Sequence, residues 1–81
     1  MMTRETIVET VNTLLADEFD VEASLFTSEA NVRDTLSLDS LSLVDLVALI
    51  QANFNIKIPV SDLHTIQTFE DLYKYIENHL S

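Results

Sequence analysis

The chain has 81 residues and a formal net charge of −10 at pH 7, with 14 aspartates and glutamates against 4 lysines and arginines. Such a surface repels phosphate backbones, which excludes ordinary electrostatic binding to nucleic acid, and it disfavours binding to anionic membrane surfaces. It favours partners with basic patches. The absence of cysteine excludes disulfides, thiolate metal sites and a cysteine nucleophile.

Helices are expected to carry the fold, because the chain has no glycine, a single proline and therefore no tight hairpin turn. The first helix is predicted from Thr3, a candidate N-cap, to Asp17. Its apolar residues recur at helical spacing and form one stripe. They are Ile7, Val8, Val11, Leu14 and Leu15.

Residues 18–38 are predicted to form a long connection. Together with Asp17 they hold six of the fourteen acids, which are interpreted as a solvated face. Interleaved apolar residues indicate that the connection lies on the core. These apolar residues are Val21, Leu25, Phe26, Val32 and Leu36.

The second helix is predicted from Asp39 and Ser40 to about Phe54, and it is apolar on two sides. One face, interpreted as the core side, comprises Leu43, Leu46, Val47, Ile50 and Phe54. The opposite strip comprises Leu41, Val44, Ala48 and Ala52. In so small a domain a fully encircled helix is hard to build, so we interpret this strip as a docking face for a partner.

The last third of the chain is predicted to hold a short helical turn at Ser61–Leu63 and a final helix. Thr68 followed by Asp71 is a capping-box variant that starts the final helix. The sequence therefore predicts one all-α domain over residues 1–81. Its architecture is expected to be an antiparallel four-helix bundle, with three main helices, one short helix and a long first loop.

No enzyme and no metal site are predicted. Ser40 has no histidine near it in the sequence, and His64 and His79 lack metal-ligand spacing and are interpreted as surface residues. The longest apolar run, Leu46–Ile50, is too short for a membrane span, and residues 1–9 lack the hydrophobic block of a signal peptide. We expect a soluble, cytoplasmic monomer.

The triplet Asp39-Ser40-Leu41 could be simple helix capping, since Asp and Ser are favoured N-caps. It also resembles the phosphopantetheine attachment motif of acyl carrier proteins. The resemblance continues through residues 44–47, residues 54–59 with the pattern F-x-I-x-I-P, and on to Tyr75 and Ile76. It covers nearly the whole chain and agrees with its length and acidity.

The resemblance implies a non-catalytic carrier. Ser40 would receive a 4′-phosphopantetheine arm from coenzyme A through a phosphopantetheinyl transferase, and acyl-transfer and elongation enzymes with basic patches would act on the cargo. The cargo would be held as a thioester on the arm. Partner docking is expected at Asp39, Leu41, Val44, Asp45 and Ala48. An acyl pocket is expected at Leu46, Ile50, Phe54, Ile66 and Leu72.

The chain departs from the family pattern at two places. Ser37 and Leu38 stand where glycine is often found before the Asp-Ser pair, and the second helix is poor in glutamate. We interpret this as favouring a dedicated pathway of the accessory-lipid, polyene or polyketide type over general fatty-acid synthesis. The alternatives are an aminoacyl carrier of the D-alanyl type and a helical adaptor that never receives the arm.

Overall fold

The computed structural model describes residues 3–80, and helices account for its regular structure. The α-helices are α1 (Arg4–Phe19), α2 (Val32–Leu36), α3 (Ser40–Phe54), α4 (Val60–Leu63) and α5 (Phe69–His79), with a 3₁₀ turn at Ala23–Leu25. No strand occurs within residues 3–80, where one isolated antiparallel bridge pairs Asn31 with Thr68. The prediction of an all-α bundle built on three main helices is confirmed.

Two helix boundaries and the structure of the connection differ from the sequence prediction. The first helix continues past Asp17 to Phe19, and the short helix α4 begins at Val60 instead of Ser61. The connection at 18–38 is more ordered than a loop, because it contains the 3₁₀ turn and α2. The bundle therefore has two short helices, where one was predicted.

Side-chain caps define where the main helices begin. Thr3 Oγ1 accepts a hydrogen bond from the Thr6 backbone N–H at the start of α1. At the start of α5, Thr68 Oγ1 accepts from the Asp71 N–H while Asp71 Oδ2 accepts from the Thr68 N–H, so the predicted capping box is confirmed. These hydrogen bonds satisfy backbone donors that have no partner within the helix.

The core is one cluster of apolar side chains to which all three main helices contribute. Within residues 3–80 no polar or charged residue is buried. In α1 the fully buried positions are Ile7, Val11 and Leu15, as the stripe predicts, and Val8 and Leu14 are half-buried. Three of the five apolar residues expected on the core from the connection are buried, namely Phe26, Val32 and Leu36. Leu25 is 54% exposed, so its predicted burial is wrong.

Backbone hydrogen bonds fasten the connection to the start of α5. The Val32 N–H donates to the Gln67 carbonyl at 2.9 Å, and the Phe69 N–H donates to the Ala30 carbonyl at 3.1 Å. The Phe26 ring stacks on Phe69 with ring centroids 4.9 Å apart. The position of α2, and of the chain that leads from it into α3, is therefore tied to residues 67–69, where α5 begins.

Candidate functional site

Ser40 is the first residue of α3 and its side chain is exposed. Asp39 caps this helix, because its Oδ1 accepts a hydrogen bond of 2.8 Å from the Ser42 N–H. That hydrogen bond lowers the pKa of the Asp39 carboxyl below its ordinary value, so the cap is anionic at neutral pH. The serine hydroxyl thus lies at the positive end of a 15-residue helix dipole.

The chain enters this site through a tight helix end. After α2, Ser37 adopts the left-handed conformation with φ 54°, and the Leu38 N–H donates to the Arg33 carbonyl at 2.9 Å. The longer bond from the Ser37 N–H to the Asp34 carbonyl, at 3.4 Å, completes a Schellman motif. This turn is short enough to keep α2 beside the first turn of α3.

A small open hollow lies beside Ser40. It is lined by Arg33, Leu38, Asp39, Ser40 and Leu43. Arg33 belongs to no motif in the sequence, and only the turn after α2 brings it close to a serine seven positions later. The one signal in the sequence that could have singled it out is that the chain contains just four lysines and arginines.

The outer face of α3 is apolar and exposed. Leu41 is 79% exposed and Val44 is 64% exposed, and Ala48 and Ala52 are also exposed. The exposed carboxylates of Asp39 and Asp45 flank this strip. All the residues expected in partner docking are therefore accessible, and the opposite face supplies Leu46, Ile50 and Phe54 to the core. Their docking role stays a prediction.

A cavity of about 10 Å³ lies between α2, α3, α4 and α5. That volume is close to the space of one water molecule, so the walls are nearly in contact. Four of the five residues expected in an acyl pocket line it, whereas Phe54 is buried and does not. The lining residues are Val32, Arg33, Leu43, Leu46, Val47, Ile50, Ile58, Leu63, Ile66 and Leu72.

Tyr75 of α5 holds α4 in place as one wall of this cavity. Its hydroxyl donates to Asp62 Oδ2 at 2.8 Å, and the Lys57 carbonyl oxygen lies 3.1 Å away. Burial, with Asp62 close by, raises the pKa of Tyr75 to about 12. His79 stacks on the Tyr75 ring with ring centroids 3.9 Å apart. Because α4 contributes no buried residue, the hydrogen bond from Tyr75 to Asp62 is important for holding α4 against α5.

The part of the chain that the structure describes has neither a cluster of metal-ligand side chains nor a helix able to span a bilayer. No group of three or more His, Asp or Glu side chains in residues 3–80 is arranged to hold a metal ion. None of the helices in the same range is long and apolar enough to span a bilayer. Both exposed histidines, His64 and His79, lie away from Ser40 in sequence and in separate segments.

Comparison with known proteins agrees with this geometry. The family model described as "Phosphopantetheine attachment site" matches residues 9–76. The acyl carrier protein of Thermotoga maritima is 39% identical over 80 residues, which are 99% of each chain, and that of Rubrobacter xylanophilus is 35% identical over 78 residues, or 96% of each. The solved structure of the acyl carrier protein from Enterococcus faecalis superposes with a TM-score of 0.81 at 31% identity, covering 96% of this chain and 99% of that one. The chain therefore belongs to the acyl carrier proteins, non-catalytic carriers whose cofactor is a covalent 4′-phosphopantetheine.

Proposed function

We propose that Ser40 carries the 4′-phosphopantetheine arm and that the protein carries acyl intermediates for fatty-acid, polyene or polyketide-type synthesis. The observation that supports this most is the exposed Ser40 hydroxyl at the first position of α3, directly after its capping residue Asp39. An accessible hydroxyl is what a transferase needs. Nothing in the local fold has to open before the serine can react.

The residues around Ser40 fit a phosphate-linked group. The N-terminal end of α3 presents backbone N–H groups and the positive end of the helix dipole, both of which favour a phosphodiester. In the transfer, Ser40 Oγ forms the new bond to phosphorus, its proton passes to a base of the transferase, and the nucleotide part of coenzyme A leaves. The bound arm supplies a terminal thiol for the acyl cargo, and the chain has no cysteine to compete with it.

The proposed docking face is the exposed strip of α3, with Asp39 and Asp45 at its edge. Leu41 and Val44 are large apolar side chains exposed to solvent, and adjoining exposed apolar residues of this kind mark sites of protein–protein interaction. The two carboxylates and the net charge of −10 favour partner enzymes with basic residues around such a pocket. We assign this face to the phosphopantetheinyl transferase and to acyl-transfer and elongation enzymes.

The proposed cargo site is the apolar cavity, with Leu46, Ile50, Ile66 and Leu72 among its lining residues. With a volume of about 10 Å³ it is too small for an acyl chain, so cargo has to push the helices apart. The wall best able to move is α4, because it is a four-residue helix with no buried residue. Cargo entry therefore competes with the contact between Tyr75 and Asp62.

The experiment is modification of the purified protein with coenzyme A, Mg²⁺ and a broad-specificity transferase, followed by mass spectrometry. One phosphopantetheine should be added to the wild type and none to Ser40→Ala. The alanine variant keeps Asp39 as its cap and should stay folded, because even loss of a cap costs only about 1 kcal/mol. Modification of Ser40→Ala at Ser37 or Ser42 would contradict the assignment, and an unmodified wild type would favour the adaptor alternative.

A further inference from the structure

We propose that Arg33 positions the arm by pairing with the phosphodiester on Ser40 across the hollow that the two residues share. The inference rests on the proposed attachment at Ser40. It adds a role for a residue of α2, which neither the attachment motif nor the docking face includes. By holding the phosphodiester, Arg33 would aim the rest of the arm at the apolar cavity instead of at open solvent.

The place of Arg33 in the fold supports this role. It lines the open hollow together with Ser40, and it also lines the apolar cavity between the helices. A third hollow, next to His64 and Gln67, includes Arg33 as well. Arg33 therefore lies where the space beside Ser40 meets the mouth of the cavity, on the route that an arm must follow to bring cargo inside.

The backbone of Arg33 is held from both sides. Its carbonyl accepts the hydrogen bond from the Leu38 N–H, and its neighbour Val32 donates to the Gln67 carbonyl, each at 2.9 Å. The side chain is exposed, so it keeps the freedom to meet a ligand. Because the backbone is already fixed, pairing with a phosphate costs the conformational entropy of the side chain alone.

Arg33 differs from the other bases in combining an unpaired charge with a place beside Ser40. Arg4 and Lys74 form ion pairs with Glu70, and Arg4 also pairs with Glu77. Neither Arg33 nor Lys57 forms an ion pair within residues 3–80, and of these two only Arg33 lines the hollow at Ser40. The carboxylate that shares its hollow, Asp39, already accepts the Ser42 N–H. A guanidinium can bind two phosphate oxygens at once, which a lysine ammonium cannot reproduce with the same geometry.

The test is ³¹P NMR of the modified protein, in which the arm phosphorus reports its surroundings directly. Three variants are compared with the wild type: Arg33→Gln, Arg33→Lys and the control Lys57→Gln. Lys57 is exposed, lies outside all three hollows, and its replacement changes the net charge by the same amount. Circular dichroism checks that each variant is folded, and mass spectrometry checks that each is modified.

We expect the ³¹P resonance to shift in Arg33→Gln, to move part of the way in Arg33→Lys, and to stay in place in Lys57→Gln. Added salt should move the wild-type resonance towards that of Arg33→Gln, because it weakens the ion pair. Identical spectra for the wild type and Arg33→Gln, or equal shifts in both glutamine variants, would overturn the role of Arg33 and leave Ser40 as the attachment site. An unmodified wild type would instead overturn the attachment itself.

Discussion

Within residues 3–80, three residues end helices in the left-handed conformation, and none of them is glycine. They are Asp20, Ser37 and Asn55, with φ between 54° and 55°. For an ordinary L-residue this conformation costs about 1–2 kcal/mol, whereas asparagine and aspartate adopt it more easily. Ser37 is therefore the most strained of the three, and it lies three positions before Ser40.

We predict that Ser37→Gly stabilises the protein by about 0.5–1 kcal/mol, because glycine removes the left-handed strain but adds entropy to the unfolded chain. In thermal unfolding this corresponds to a melting temperature about 2–8 °C higher. The matched control is Asn55→Gly at the end of α3, which should change stability by less than about 0.5 kcal/mol. A melting temperature of Ser37→Gly at or below that of the wild type would contradict the strain argument.

The caps of Asp39 and Thr68 could be predicted from the sequence, whereas the role of Ser37 could not. A cap depends on a side chain and a backbone N–H two or three residues away, so the sequence shows both partners. The left-handed turn at Ser37 depends on where α2 ends, and α2 itself is absent from the sequence prediction. Arg33 was missed for the same reason, because it is the turn after α2 that brings Arg33 close to Ser40.

At the scale of elements, α3 is the helix that has to serve both the core and the surface. The helical periodicity of its sequence predicts two apolar faces. In the structure one of these faces packs in the core and the other is exposed to solvent. Ile50 is fully buried, whereas Val44 is 64% exposed and lies one turn from Ser40. Equal substitutions at these two positions should therefore have very different effects.

We predict that Val44→Arg changes the free energy of unfolding by no more than about 0.5 kcal/mol, as ordinary surface substitutions do. It should nevertheless slow modification by the transferase, since it sets a positive charge on the apolar strip against a basic partner. Ile50→Arg buries an unpaired charge and should unfold so small a domain. Thermal melting and the rate of modification are measured for both variants.

Two results would contradict parts of this prediction. Equal melting of Val44→Arg and Ile50→Arg would mean that α3 is packed on both faces, so no docking face exists. A folded Val44→Arg that is modified at the wild-type rate would remove the strip from the transferase contact. After the second result, the strip would remain a proposed docking face only for the acyl-transfer and elongation enzymes.

The main helices were predictable because their apolar periodicity and caps are local properties of the sequence. The short helix α2 was not predicted, and its five residues are too few to be stable alone. It is held by bonds from distant parts of the chain, such as the one from Val32 to Gln67. The predicted pocket role of Phe54 shows a similar limit of sequence-based prediction. Helical periodicity places Phe54 on the buried face of α3, but it does not indicate which buried residues line the cavity.

At the scale of the whole molecule, the acids are unevenly compensated. The three ion pairs found within residues 3–80 all involve α5, where Glu70 pairs with Arg4 and Lys74 and Glu77 pairs with Arg4. The six acids between residues 17 and 34 are exposed, and none of them forms an ion pair within the described range. Ion pairs thus compensate the acids of α5, whereas the acids of the connection have no such compensation within the described range.

This distribution makes stability depend on salt. The molecule measures 30 × 26 × 21 Å, which does not exceed the Debye length of about 30 Å at 0.01 M salt, so the acids act on one another at low ionic strength. Repulsion among them opposes the compact state at low ionic strength, and screening should relieve it. We therefore predict a melting temperature that rises with added NaCl, and rises further with millimolar Mg²⁺.

Two single substitutions separate this repulsion from a general effect of salt on burial. Glu22→Gln removes an unpaired acid and should raise the melting temperature at low salt, whereas Glu70→Gln removes a paired acid and should lower it. Both remove one negative charge, so net charge alone predicts the same sign for the two. Each effect should be small, about 0.2–1 kcal/mol for exposed or half-exposed charges, and should shrink towards zero near 1 M salt, where the Debye length is about 3 Å. A higher melting temperature in both variants would show that net charge outweighs the local pairing on α5. A wild-type melting temperature that does not change with salt would show that the acids of the connection are too dispersed to destabilise the fold.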